Sequence, residues 1–235
     1  MKKIKVLLFH GFMIHDRHDL RHLKAYMDEN PLDNVEFELV NLYDRKVFSS
    51  SKNKNMKNTV KEIILKNQQD GFSVVLAGYS FSCGVASSLA KELNLSGVIY
   101  FAPSIQLLKT KLFPLHLKNA FKAVKLRIKH GKKKADKIME KTKTRGIIPL
   151  SYHIVGAMLQ NKKTFKNSIP YLAFRGNKDT FCLDEDLKFI ARKSSALFRK
   201  SITNFGEGWD HYFVYKEEFY KDYIVNEIKY FLERI

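Results

Sequence analysis

The stretch Val74-Val75-Leu76-Ala77-Gly78-Tyr79-Ser80-Phe81-Ser82-Cys83-Gly84-Val85-Ala86 decides how this chain folds. Its apolar run stops at Gly78, small residues return at Ser82, Cys83, Gly84 and Ala86, and Leu89 and Leu93 follow at helical spacing. A buried strand is therefore expected to turn sharply into a helix, with a serine at the bend. Serines at a helix start also act simply as caps, and a second register would make Ser82 the exposed hydroxyl in Ser80-x-Ser82-x-Gly84. Ser80 fits better, because Gly78 directly ends the apolar strand.

The same alternation extends to both sides. Ile4 to Phe9 reads as a first strand ending at His10-Gly11, and Leu20, Leu23 and Met27 mark a helix over about Arg17 to Met27. Val35 to Leu42 is a second strand. A polar, Ser/Lys/Asn-rich stretch at 49–58 leads into a helix carrying Val60, Ile63 and Ile64, and Val98 to Phe101 is a fourth strand. Beyond the middle of the chain, Tyr171 to Phe174 is a strand, Asp184 to Lys193 a helix, Ala196 to Ile202 a last strand and Lys216 to Arg234 a closing helix. This is an α/β pattern, which implies a mostly parallel sheet with helices on both faces and working loops at the carboxyl ends of its strands.

Between 104 and 168 the rhythm changes to amphipathic helical segments, with Leu117, Phe121, Val124 and Ile128 at steps of four, three and four among lysines. We expect these residues to form a basic helical cap inserted into a core made of 1–103 and 169–235. The whole chain carries 42 Lys and Arg against 24 Asp and Glu, a net +18. The insert holds 17 of the basic residues and two acids, Asp136 and Glu140, so the remaining core is close to balanced. A solvated lysine face over an apolar inner face explains the periodicity but not the near absence of acids. A cap whose apolar side roofs a pocket while its cationic side meets an anionic membrane surface explains both. Nucleic acid ranks below this, because the basic runs lack interleaved aromatic residues.

Composition excludes other classes. With 45% hydrophobic residues the chain can build one sizeable core, which rules out disorder and a disulfide-stapled miniprotein. Cys83 and Cys182 have no partners at metal-ligand spacing, so neither a zinc site nor another cofactor is called for, and a reducing cytoplasm is the expected location. The Lys-rich start is read as leading into a strand rather than as a signal peptide, since the apolar run stops at His10-Gly11.

Gly78-Tyr79-Ser80-Phe81-Ser82 resembles the nucleophile elbow of the α/β-hydrolase family, with serine standing where that family's pattern has its second glycine. Other parts follow in the family's order. Gly176-Asn177-Lys178-Asp179 after a strand is similar to the acid turn. His211 lies 32 residues further on, in a Gly-containing loop after the last strand, where the family places its base. His10-Gly11-Phe12 is similar to the oxyanion loop. Taken singly, Asp179 reads as a turn residue and His211 as a helix-start residue; it is their joint order with Ser80 that carries the resemblance. The resemblance implies Ser80 as nucleophile, His211 as base, Asp179 as the acid orienting it, and the backbone N–H groups of Phe12 and Phe81 as oxyanion donors. It also implies a reduced sheet, because the chain starts directly at the strand before the oxyanion loop.

Several residues are weighed and set aside. His15, His18 and His22 with Asp16 and Asp19 have spacings that suit a metal, but they read better as the solvated lip of the first helix. Asp210 adjoins His211, and consecutive side chains rarely face each other. Cys83 reads as a small buried residue after the elbow. Candidates for the substrate pocket are His10, Gly11, Tyr79, Leu107 and Leu108. The expected activity is hydrolysis of a small-molecule carboxylic ester with an acyl or aryl group. An acyl thioesterase, or a non-catalytic homologue that binds anionic surfaces through its cap, are the alternatives.

Overall fold

The computed structural model describes residues 2–11, 19–42, 56–105, 113–141, 168–203, 209–215 and 223–235. Among these described residues, six strands form one sheet: β1 (Ile4–Phe9), β2 (Val35–Val40), β3 (Ser73–Tyr79), β4 (Gly97–Phe101), β5 (Tyr171–Phe174) and β6 (Arg199–Ile202). Their order is β2-β1-β3-β4-β5-β6, and every pairing is parallel. Side chains alternate between two apolar layers with the period of a strand. Leu7, Phe9, Leu76, Tyr100 and Ala173 point to one face, while Val6, Leu8, Ala77, Phe101 and Phe174 point to the other.

Helices cover both layers. Under the first face lie α2 (Met56–Gln69), α3 (Ser82–Glu92) and α5 (Asp184–Lys193), through residues such as Ile64, Leu89 and Ile190. Over the second lie α1 (Arg21–Glu29) and α6 (Val225–Leu232), through Leu23, Met27, Ile228 and Phe231. Parallel strands buried on both sides need continuous apolar runs, and Val74 to Ala77 and Val98 to Phe101 supply them.

Chain order runs outward from β1 to β2 and then resumes at β3 on the other side of β1. The carboxyl ends of β1 and β3 therefore flank the point where connections diverge, which is where an open α/β sheet leaves a crevice. Ser80 follows β3, and Gly11 follows β1.

Element boundaries differ from expectation where a residue leaves the ladder for another partner. The second strand stops at Val40 rather than Leu42, since the Leu42 N–H donates to His10 Nε2 at 2.9 Å. The last strand is confined to Arg199–Ile202, with Leu197 fully exposed ahead of it. The first helix runs over Arg21–Glu29, and the closing helix is Val225–Leu232 after a short 3-10 turn at Phe213–Tyr215.

Of the expected insert, 106–112 and 142–167 lie outside the described residues, and Leu107 and Leu108 with them. The described part is α4 (Phe113–Lys141), whose helix is interrupted at Gly131 with φ +70° and ψ 163°. Its apolar row was expected to face inward. Instead Phe121, Val124 and Ile128 are 66%, 38% and 81% exposed. Helical periodicity defines a face but not the direction in which it points.

Candidate active site

Ser80 takes φ +56°, a left-handed conformation that costs a non-glycine residue energy and persists only where its surroundings impose it. Here they do. The Ser80 N–H donates to Phe101 O at 2.9 Å, and the Ser80 carbonyl accepts from Cys83 N at 3.2 Å and Ser104 N at 3.2 Å. A Cβ on Gly78 would lie 2.8 Å from Cys83 N and 2.9 Å from the Cys83 Cα, so the elbow closes only because that side chain is missing.

The bend half-exposes Ser80 and sets its Oγ 3.1 Å from His211 Nε2. On the far side of the ring, Nδ1 lies 2.9 Å from Asp179 Oδ2. A carboxylate only accepts, so Nδ1 carries the proton and Nε2 is left to accept from the serine hydroxyl. Asp179 is itself fixed: its Oδ1 accepts from Phe181 N and Cys182 N, both at 2.8 Å. The structure thus brings Ser80, His211 and Asp179 into one line from three separate loops. Asp210 instead accepts from the Tyr212 N–H at 2.9 Å, beside His211 rather than against its ring.

The loops carrying Asp179 and His211 touch backbone to backbone. Lys178 N donates to Trp209 O at 2.7 Å, and Trp209 N donates to Asn177 Oδ1 at 3.2 Å. The imidazole is packed by Tyr79 on one side, ring centroids 5.3 Å apart, and by the edge-on ring of Phe181 at 5.2 Å. Tyr79 also donates its hydroxyl to the His211 carbonyl at 2.9 Å. Burial, above all, pushes the Tyr79 hydroxyl far above its ordinary value, so it remains a donor.

The other predicted residues divide. Phe81 is the N-cap residue of α3, at the positive end of that helix. Phe12 lies outside the described residues, as do His15, Asp16 and His18. His10 is fully buried, with Nε2 accepting from Leu42 N and Nδ1 donating to Gly11 O at 2.7 Å. Its ring is held between the end of the second strand and the residue that follows His10 in the chain. Gly11 and Tyr79 are buried too, as backing to the loop and to the imidazole. Ser82, the other candidate nucleophile, is wholly buried: its Oγ accepts from Tyr79 N at 2.8 Å, and its one proton is shared between Tyr79 O at 2.9 Å and Phe9 O at 3.2 Å. Where the motif has glycine, this serine stitches β3 to β1.

The contacts of two residues at the site were not legible in the sequence, although Cys182 lies only three residues beyond Asp179. Asp19, expected on a solvated lip, is buried, with Oδ2 accepting from Gly11 N at 2.5 Å and Oδ1 from the Tyr215 hydroxyl. Burial first, then the Asp19 bond, pushes the Tyr215 hydroxyl up. One carboxylate therefore ties the loop after β1 to the segment that carries His211. Only its place beside Leu20, at the foot of an apolar helix face, hinted at burial. Cys182 donates its thiol to Ala102 O at 2.7 Å, and its Sγ lies 3.6 Å from His211 Nδ1. Asp179, Cys182 and His211 bring their ligand atoms within 4.8 Å of one another. Burial, and then the Asp179 charge, push the Cys182 thiol well up, which favours the neutral thiol that donates to Ala102 O over a thiolate nucleophile.

No protein-family model and no curated protein matches this chain by sequence. Solved structures do match along its whole length. A lipolytic enzyme from the metagenome-derived pair LipS and LipT has a TM-score of 0.67 at 10% identity, over 100% of this chain and 95% of that one. A soluble variant of monoglyceride lipase from Saccharomyces cerevisiae gives 0.63 at 16% identity, over 99% and 87%. A thermophilic esterase from Thermogutta terrifontis gives 0.62 at 13%, over 99% and 90%. The chain has the α/β-hydrolase fold. Among its described residues, no helix is long and apolar enough to cross a membrane.

Proposed function

We propose that the chain is a serine hydrolase that cleaves carboxylic esters carrying acyl or aryl groups. The observation that carries this reading is the relay of hydroxyl, imidazole and carboxylate at 3.1 and 2.9 Å, starting from a serine held at φ +56°. Structural likeness to lipases and esterases supports it.

In this reading the Ser80 Oγ attacks the ester carbonyl carbon while its proton passes to His211 Nε2. The carbonyl π pair moves onto oxygen, where the Phe81 N–H, at the start of α3, and the Phe12 N–H stabilise the negative charge. The tetrahedral centre collapses, the C–O bond to the alcohol breaks, and the proton on Nε2 leaves with the alkoxide. Water then attacks the acyl-serine by the same steps in reverse, giving the acid and restoring the hydroxyl. Asp179 holds the Nδ1–H throughout and balances the transient imidazolium.

A fluorophosphonate probe tests the nucleophile. Wild type should label and Ser80→Ala should not; equal labelling of both, or none of either, ends the proposal. A p-nitrophenyl ester series of increasing acyl length, run beside one acyl thioester, tests the substrate. Faster turnover of the thioester would move the assignment to a thioesterase.

A further inference from the structure

The outer surface of α4 carries two parallel rows. At about 100° per residue, Phe121, Val124 and Ile128 fall within an arc of about 60°. Lys118, Lys122, Lys125 and Lys129 fall within an adjoining arc of about 60°. Both rows face solvent, since the three apolar residues and the four lysines are all exposed. On the opposite side of the helix, Leu126, Arg127 and His130 are only half-exposed. Beyond the break at Gly131, exposed Lys132, Lys133, Lys134 and Lys137 extend the same charge, and the whole of α4 contains ten basic residues against two acidic ones.

We propose that α4 is a docking surface for an anionic lipid bilayer, with Phe121, Val124 and Ile128 seated at headgroup depth and the lysine row on the lipid phosphates and carboxylates. Each row alone has a simpler use, and the two together narrow the partner. A solvated helix has no use for three large apolar side chains in line, two of them more than half exposed. A polyanion such as nucleic acid would match the lysines but leave the apolar row in water. A neutral apolar partner would bury the row but leave the lysine row without countercharge. A bilayer containing anionic lipid satisfies both at once, because apolar and charged chemistry lie side by side at its interface.

The test is flotation with phosphatidylcholine vesicles, with and without phosphatidylserine, using Ser80→Ala protein so that binding is read independently of any chemistry. Binding is expected only with the anionic vesicles and should fall steeply between ~0.1 and ~0.5 M salt as screening shortens. Lys118→Gln/Lys122→Gln/Lys125→Gln/Lys129→Gln should weaken it by at least about a hundredfold, at roughly fivefold per lysine. Phe121→Ser/Ile128→Ser should weaken it by at least about tenfold. Both sets, made in the wild-type background, should label with the fluorophosphonate probe as wild type does, which shows that they fold. Equal binding to neutral vesicles, or no binding to anionic ones, overturns the proposal. So does full retention of anionic binding by Phe121→Ser/Ile128→Ser, which would point to a purely ionic partner such as nucleic acid. Failure of the Ser80→Ala protein to bind anionic vesicles, with the wild type still labelling, would refute the surface alone and leave the hydrolase reading standing.

Discussion

Replacing Gly176 with alanine should disable the site without touching any group in it. A Cβ at this position would sit 2.4 Å from Trp209 O, 2.6 Å from Asp210 O and 2.8 Å from the Trp209 carbonyl carbon, all backbone atoms. Ordinary contact begins at 3.4 Å, so the two loops must part by about 1 Å. These are the loops that carry Asp179 and His211, and they are joined by the 2.7 Å bond from Lys178 N to Trp209 O. If the displacement reaches the site, the 2.9 Å contact between His211 Nδ1 and Asp179 Oδ2 stretches towards about 4 Å, beyond hydrogen bonding. The imidazole then loses the partner that fixes its tautomer. A misplacement of about 1 Å typically costs about a hundredfold in rate, or about 2.7 kcal/mol of barrier. Gly176→Ala is therefore expected to lower kcat on a p-nitrophenyl ester by roughly a hundredfold, with KM little changed because nothing that would hold the acyl group moves. The rate of fluorophosphonate labelling should fall in parallel, since it depends on the same hydroxyl activation. Circular dichroism and a melting curve establish that the variant is folded. A folded Gly176→Ala protein with kcat within about threefold of wild type would refute the reasoning, because the loops would then be free to separate without disturbing the relay.

Three further expectations follow from the same contacts. Asp19→Ala breaks the link between Gly11 and Tyr215 and should reduce kcat about tenfold or more, whereas Asp19→Asn, which can still accept from the Gly11 N–H, should recover most of it; equal loss in both would mean that charge rather than the link matters. Ser82→Ala leaves the Tyr79 N–H without its acceptor in the core and should cost about 1–3 kcal/mol in urea unfolding, so an unchanged midpoint would contradict the role of the Ser82 hydroxyl as that acceptor. The Cys83 and Cys182 thiols are both pushed above their ordinary value of 9.0, chiefly by burial. The folded chain keeps these protons where the unfolded chain releases them, so stability is intact below pH 9 and should decline above it by up to about 1.4 kcal/mol per pH unit per thiol. Urea titrations from pH 8 to about pH 10 should show this decline, and Cys182→Ala should make it shallower; an unaltered slope would rule out the buried thiol as a cause.

What could be read from the sequence, and what could not, follows from the range of the forces involved. Strand and helix order was legible because burial on both faces of a parallel sheet demands apolar runs such as Val74 to Ala77, and because the turn at Ser80 demands small neighbours locally. Asp179 and His211 could be singled out because their order after Ser80, each in a loop that follows a strand, resembles the α/β-hydrolase pattern. The roles of Ser82, Asp19 and Cys182 were not, because each depends on which loops meet. Ser82 looks like a flaw in the motif until Phe9 O is found 3.2 Å away, and Asp19 looks like a surface acid until Gly11 and Tyr215 close over it. The same limit governs α4. Its spacing revealed an apolar row, but whether that row faces the core or the solvent depends on the packing of the helix as a whole. A row turned outward beside four lysines has a different physical consequence from one turned inward: it can no longer roof a pocket from that side, and its burial must come from something other than the described residues.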